Sequence, residues 1–257
     1  MRKRLIPVLL LDGARRLVKT ERFGARTYIG DPFNVVRLFN EKEVDEIAIL
    51  DIDAGPEGRR PDFGFMKELA SECFMPLSYG GGIRSVADCE ELNRLGVEKF
   101  VLGKVGFESD VVRSVSDVFG SQAVVVCIDA VGSGDRAHCV TRSGRQRYKT
   151  HPLNHALAAQ AAGAGEIILQ SVDRDGMRSG MDLDMIRSVS QALEIPVVAL
   201  GGAGDVSHLV GGLAAGASAV ASGSAFTFIG RLRAVLVTYP SRREVDVAMA
   251  RSGAGGP

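Results

Sequence analysis

IPVVALGGAGD, residues 195–205, is a short apolar run that breaks into a glycine pair and then into a polar helix start. MPLSYGGGIRS, residues 75–85, has the same form 120 positions earlier. Pro76 corresponds to Pro196, Gly81 to Gly201 and Gly82 to Gly202. The same offset relates Asp53 in ILDIDAG to Asp173 in LQSVDRDG, and Gly96 and Gly103 to Gly216 and Gly223. A constant offset on both sides of the glycine pair points to two copies of one half-domain unit.

Working outward, short apolar runs alternate with segments of helical period. Arg4–Leu11 is a continuous apolar run, as expected for a strand buried on both faces. Asp31 before Pro32 signals a helix running to about Glu41. Strands are then expected at 47–52, 76–79, 100–102, 123–128, 167–169, 197–200 and 219–221. Helices are expected at 61–72, 85–95, 109–118, 152–162, 182–192, 206–214 and 229–237. Ser85 with Asp88 three residues on has the form of a capping box. Eight strands alternating with eight helices predict a single (βα)8 TIM barrel built from two (βα)4 half-barrel repeats, spanning 1–238. An open doubly wound sheet is the competing arrangement, but a fourfold-plus-fourfold repeat closes more naturally. Two loops stand out. The basic segment 15–26 has no clear period and reads as a long mobile loop after the first strand. Residues 131–151 are long and polar, with 140–141 and 147–148 placed to pair as a small hairpin. Residues 239–257 drift into Arg, Ser and Gly and read as a flexible tail.

Composition excludes several function classes. The 257 residues carry 31 Lys+Arg against 31 Asp+Glu, so no field of one sign favours nucleic acid or an anionic membrane. Hydrophobic content of 46% suffices for a sizeable core, yet no apolar run approaches membrane-spanning length. Leu5–Leu11 follows basic residues but lacks a small-residue cleavage site, so it reads as a strand and not a signal peptide. Cys73, Cys89, Cys127 and Cys139 show no metal-ligand spacing; reduced thiols, a cytoplasmic location and no metal or cofactor are expected.

In such barrels the chemistry sits where strands end. Carboxylates end three runs, at Asp51/Asp53, Asp129 and Asp173/Asp175; glycines end four, at Gly80–Gly82, Gly103–Lys104, Gly201–Gly202 and Gly223–Ser224. Glycine lets a ligand approach backbone N–H groups, and helix starts favour anions. The candidate phosphate-binding residues are Gly81, Gly82, Gly103 and Lys104 in one half. In the other they are Asp175, Gly176, Gly201, Gly202, Gly223 and Ser224. One patch per half suggests a ligand with two phosphates held across the mouth. The plainer reading is that these glycines only make tight turns. Asp205 reads as a helix cap, whereas Asp129 precedes a loop and is a better candidate for function.

GDPFNVVRLFNEKEVDEIAILDIDA, PLSYGGGIRS, VVVCIDA, GAGEIILQSVDRDGMRSGMD and IPVVALGGAG together resemble the cyclase subunit of imidazole glycerol phosphate synthase, over roughly residues 4–238. The isomerase that acts earlier in histidine synthesis has the same repeat but fits the GAGE…DRDG segment less well. The resemblance implies a glutaminase partner at the N-terminal barrel face, whose ammonia passes up the barrel to a bis-phosphorylated ribonucleotide. It implies a charged ring at the lower entrance, matched by Arg4, Glu46, Lys99 and Glu166. It also implies two catalytic aspartates, since ammonia addition and ring closure need two proton-transfer groups. Asp129 matches the second. Leu10 stands in the place of the first, and a leucine cannot move a proton. Asp12, two residues on, substitutes only if its loop folds inward, while Lys19 matches a substrate-contacting lysine of the family. The candidate catalytic set is therefore Asp129, Lys19 and Asp12. Gly103, Gln170 and Leu200 are further departures on the same face, and Lys104 adds a charge beside the first patch.

Retention of the lower ring with altered upper chemistry suits a side-branch of the family. Its members pair with a glutaminase and are thought to pass ammonia to a separate amidotransferase making acetamidino sugars for surface polysaccharides or glycans. Two readings stand: a cyclase of histidine synthesis with a displaced acid, and an ammonia-conducting subunit without cyclase chemistry or a small substrate of its own. A pure scaffold accounts less well for the glycines and Asp129. No cysteine here sits in a nucleophile elbow, so glutamine hydrolysis is expected on a partner.

Overall fold

The computed structural model describes residues 3–230 and 234–251. Eight parallel strands form the centre: β1 (Arg4–Leu11), β2 (Ile47–Asp51), β3 (Leu77–Gly80), β4 (Lys99–Leu102), β5 (Val124–Val131), β6 (Glu166–Ser171), β7 (Val197–Leu200) and β8 (Ala219–Ser222). Each pairs with its sequence neighbours. β8 returns to β1 with Arg4 opposite Ala219, so the sheet closes as a (βα)8 TIM barrel. The helices of the outer ring are α1 (Pro32–Glu41), α2 (Phe63–Ser71), α3 (Val86–Arg94), α4 (Ser109–Phe119), α5 (Pro152–Ala161), α6 (Leu183–Ala192), α7 (Val206–Ala214) and α8 (Arg242–Arg251).

Local chemistry sets the helix starts. Asp31, Asp62, Asp182 and Asp205 each accept a hydrogen bond from the backbone N–H three residues on, and Ser85 with Asp88 closes a capping box. Asp205 is thus a cap. Two apolar clusters hold the layers. The larger lies between strands and helices and includes Phe39, Met66, Leu92, Phe100 and Val189, each at most 1% exposed. The smaller fills the barrel lumen with Ile6, Val8, Ala48, Val101, Val125, Ile168, Val198 and Leu200, the inward positions of their strands.

Three expectations need correction. Residues 15–26 are not an irregular loop. Leu17–Thr20 pairs antiparallel with β1, Val18 opposite Leu10, and with Arg26–Gly30, so the segment is a hairpin that extends the sheet. Basic residues among Leu17, Val18 and Thr20 hid so short a strand pattern. The expected helix at 229–237 is absent from its described residues, where Phe228–Ile229 pairs antiparallel with Ala234–Val235; residues 231–233 lie outside the described set. The expected tail contains α8 instead. Ser241 caps it through Glu244, and Val245 and Met249 pack on the core. The Tyr239 hydroxyl donates to the Leu5 carbonyl at 2.9 Å, fixing the approach to that helix. The remainder of the expected tail, 252–257, lies outside the described residues. The loop after β5 does pair, with Val140 opposite Arg147 and Thr141 opposite Gln146.

Candidate active site at the barrel mouth

The strand C-termini open into a cavity of about 570 Å3. Its walls bring together all ten candidate phosphate-binding residues, together with Asp129 and Lys19. The two glycine turns of the mouth are built alike. Gly82 has φ +73° and sits against the Arg59 carbonyl; Gly202 has φ +93° and sits against the Gly180 carbonyl. In each case a β-carbon would fall within 2.6 Å of backbone oxygen, so the strand-to-helix turn admits no side chain. The result is bare backbone facing the cavity at Gly81–Gly82 and Gly201–Gly202, which an anion can approach.

Between these cradles stand the ionisable groups. Asp129 lies on β5 beside Gln170 of β6, its register partner, and the Cys127 thiol donates to its Oδ1 at 3.6 Å. Burial raises the Asp129 carboxyl to about 7, with Asp175 adding to the rise. A carboxyl titrating near neutrality can both give and take a proton at that point. Burial likewise lowers the Lys19 ammonium to about 8, against the pull of Asp175. Lys19 is 6% exposed, donates to the Val8 carbonyl at the top of the lumen, and lies over Gly223, whose β-carbon would meet its Nζ. Asp175 accepts from the Thr20 hydroxyl at 2.7 Å; burial raises its carboxyl, with Thr20 and Lys19 acting in the opposite direction.

Asp12 does not fold inward. Its carboxylate accepts from the Arg16 guanidinium at 2.8 Å and 3.0 Å and from the backbone N–H groups of Ala14 and Arg16. It stabilises the turn into the hairpin and is not among the residues lining the mouth. Leu10, by contrast, does line it. The mouth therefore faces Asp129 with an aliphatic side chain where a second carboxylate would complete a proton-transfer pair.

The raised Asp129 carboxyl has a consequence for stability. Below its unfolded value of 3.8 the group is protonated in both states and contributes nothing. Between there and about 7 the unfolded chain loses the proton first, so stability falls as pH rises, and above about 7 the penalty is constant. Asp129→Asn is accordingly expected to raise the melting temperature at neutral pH and to leave it unchanged near pH 3.8. A loss of thermal stability at neutral pH would mark Asp129 as a structural group instead.

At the opposite end of the barrel, four charges close a ring. Arg4 pairs with Glu46 and with Glu166; Lys99 reaches Glu46 at 2.9 Å and Glu166 at 2.8 Å. The Ser78 hydroxyl donates to the remaining oxygen of Glu46 at 2.6 Å. Each residue begins or immediately precedes a barrel strand, and the apolar lumen lies directly above.

Several mouth residues had no motif to announce them. Arg84 and Arg142 line the cavity, donating to the Gly58 and Pro56 carbonyls, and Thr20 and Phe23 enter it from the hairpin. Arg142, Ser143 and Gly144 all have positive φ, a sharp turn for which Ser143-Gly144 was the available signal. Among the described residues no three His, Cys, Asp or Glu side chains cluster as a metal site requires, and no helix is long and apolar enough to cross a membrane.

Residues 4–232 match the sequence pattern of the family described as Histidine biosynthesis protein. The chain is 43% identical over 250 residues to "Putative imidazole glycerol phosphate synthase subunit hisF2" of Pseudomonas aeruginosa, covering 96% of this chain and 99% of that protein. It is 39% identical over 255 residues to the similarly named hisF3 protein of Vibrio vulnificus, covering 97% of each. A HisF-named protein of Leptospira interrogans is 40% identical over 252 residues, with 96% and 98% covered.

Proposed function

Because the chain belongs to the histidine biosynthesis protein family, among the cyclase subunits of imidazole glycerol phosphate synthase, we propose that it is an ammonia-delivering member without the parent ring-closing activity. The observation that carries this reading is the contrast between the two ends of the barrel. The lower end keeps a complete ring of alternating charge beneath an apolar lumen, while the upper end presents Leu10 opposite Asp129 and turns Asp12 away. Neutral ammonia crosses an apolar lumen that excludes ions, so the lower half is suited to carrying it from a glutaminase docked at the N-terminal face. The upper half retains two anion cradles and one near-neutral carboxyl, which suits binding a phosphorylated partner molecule more than completing a two-group proton relay.

The nitrogen then passes to a separate amidotransferase, of the kind that makes acetamidino sugars for polysaccharide or glycan synthesis. A specific feature favours a second reading: Lys19, held in the mouth and lowered to about 8, is a proton-transfer group that could stand in for the missing aspartate and sustain cyclase chemistry. Leu10→Asp separates the two. If the leucine is what silences ring closure, restoring a carboxylate opposite Asp129 should create ammonium-dependent turnover of the bis-phosphorylated ribonucleotide where the unaltered chain has none. Turnover by the unaltered chain that disappears in Lys19→Met would favour the second reading.

A further inference from the structure

The two anion cradles are alike in backbone but unequal in charge. Around Gly81–Gly82 the cavity wall carries Arg59, Arg84, Lys104 and Arg142. Arg59 is neutralised by Glu57 and Asp51. The others have no carboxylate partner among the described residues. Arg84 donates to the Gly58 carbonyl, Arg142 donates to the Pro56 carbonyl at 2.8 Å, and Lys104 reaches no hydrogen-bond or ion-pair partner. A carbonyl orients a guanidinium without cancelling its charge, and each guanidinium keeps further N–H groups for a ligand. Among the described residues that line the mouth, the other carboxylates are Glu108, Asp129 and Asp175. Three cations therefore line the mouth from three different loops, together with a glycine pair that by itself suffices for one phosphate. The cradle at Gly201–Gly202 differs: Lys19 is its cation, and Asp175 lies opposite it.

Like charges gathered without an anion repel one another, and the same field draws in a ligand of high negative charge. We infer that the first-half cradle is a diphosphate site, taking a pyrophosphate ester through Arg84, Lys104 and Arg142, while the second-half cradle takes at most a single phosphate. Gly103 leaves room for the larger group, since nothing lies within 4 Å of where its β-carbon would be. Arg84 and Arg142 both anchor on the short helical turn at 54–58, so a ligand bridging them also ties the loop after β5 to that turn. The inference deepens the proposed function by naming a ligand class for the mouth, and it rests on that reading only in treating the mouth as a ligand site.

Calorimetric titration of the full chain with inorganic pyrophosphate and with orthophosphate tests it. Pyrophosphate is expected to bind about tenfold more tightly or better, with affinity falling steeply as salt is raised. Arg84→Gln, Lys104→Gln and Arg142→Gln should each weaken pyrophosphate several-fold and orthophosphate less. All three side chains are exposed, so the variants should melt like the parent. Equal affinity for the two anions, or a pyrophosphate affinity untouched by all three changes, would overturn the inference. A nucleoside diphosphate and its sugar ester, titrated in parallel, identify by their order of affinity which kind of diphosphate is preferred. Glutamine-driven nitrogen transfer, measured separately, reports on the proposed function and is independent of this preference.

Discussion

Lys99→Ala is expected to cut glutamine-driven nitrogen transfer by the assembled complex about tenfold or more, while transfer driven by added ammonium stays near the parental rate. The reason lies in the ring. Lys99 bridges Glu46 and Glu166, and without it two largely buried carboxylates share only Arg4. Breaking a buried ion pair on one side leaves an uncompensated charge and typically costs roughly 3 kcal/mol, less here because Lys99 is partly open to solvent. The fold should survive, since Ser78 still serves Glu46 and the lumen above is untouched. The entrance, however, would carry excess negative charge, which would hold ammonium and admit water where the proposed conduction needs a neutral molecule to pass. Glutamine-driven transfer that is indifferent to this change would reduce the ring to a structural ion-pair network.

Gly202→Ala should be among the most damaging single changes at the mouth. The residue has φ +93°, and a β-carbon there would lie 2.2 Å from the Gly180 carbonyl oxygen. Neither strand nor loop can yield freely, because Gly180 N–H also donates to the Gly202 carbonyl at 3.0 Å. Strain of this kind costs about 3 kcal/mol or more, which in a barrel of this size lowers the melting temperature by roughly 6–12 °C. Orthophosphate binding at the second cradle should be lost with it. Gly103→Ala is the matched control. Its φ of −89° with ψ of −100° is off the ordinary wells of an L-residue, but its surroundings are open, so the change should cost about 1 kcal/mol, well below that at Gly202. Similar melting curves for the two variants would mean that the turn at Gly202 tolerates a side chain.

What the sequence disclosed and what it hid follow from the range of each interaction. The glycine pairs at 81–82 and 201–202 were legible because a tight turn imposes a local demand that one residue type meets. The barrel was legible because short apolar runs such as IAILD are buried on both faces and leave no polar alternation. The ring of Arg4, Glu46, Lys99 and Glu166 was expected only through the family resemblance, because its closure depends on four separate strands meeting. The orientation of Asp12 was not legible. Whether it turned toward the mouth or toward Arg16 was decided by a hairpin whose two short strands carry basic and polar residues among the apolar ones. Arg84 and Arg142 were hidden for a similar reason: they approach the same short helical turn from positions 58 residues apart and are held by backbone carbonyls that no motif records.

The most direct test of the central claim is turnover of the bis-phosphorylated ribonucleotide by the purified chain with excess ammonium at alkaline pH. Free ammonia bypasses any glutaminase, so the measurement isolates the upper face of the barrel. The account predicts a folded protein with no turnover above background, and turnover appearing in Leu10→Asp. Turnover by the unaltered chain that is abolished in Asp129→Asn would contradict it, and would mean that ring closure proceeds with Leu10 in place.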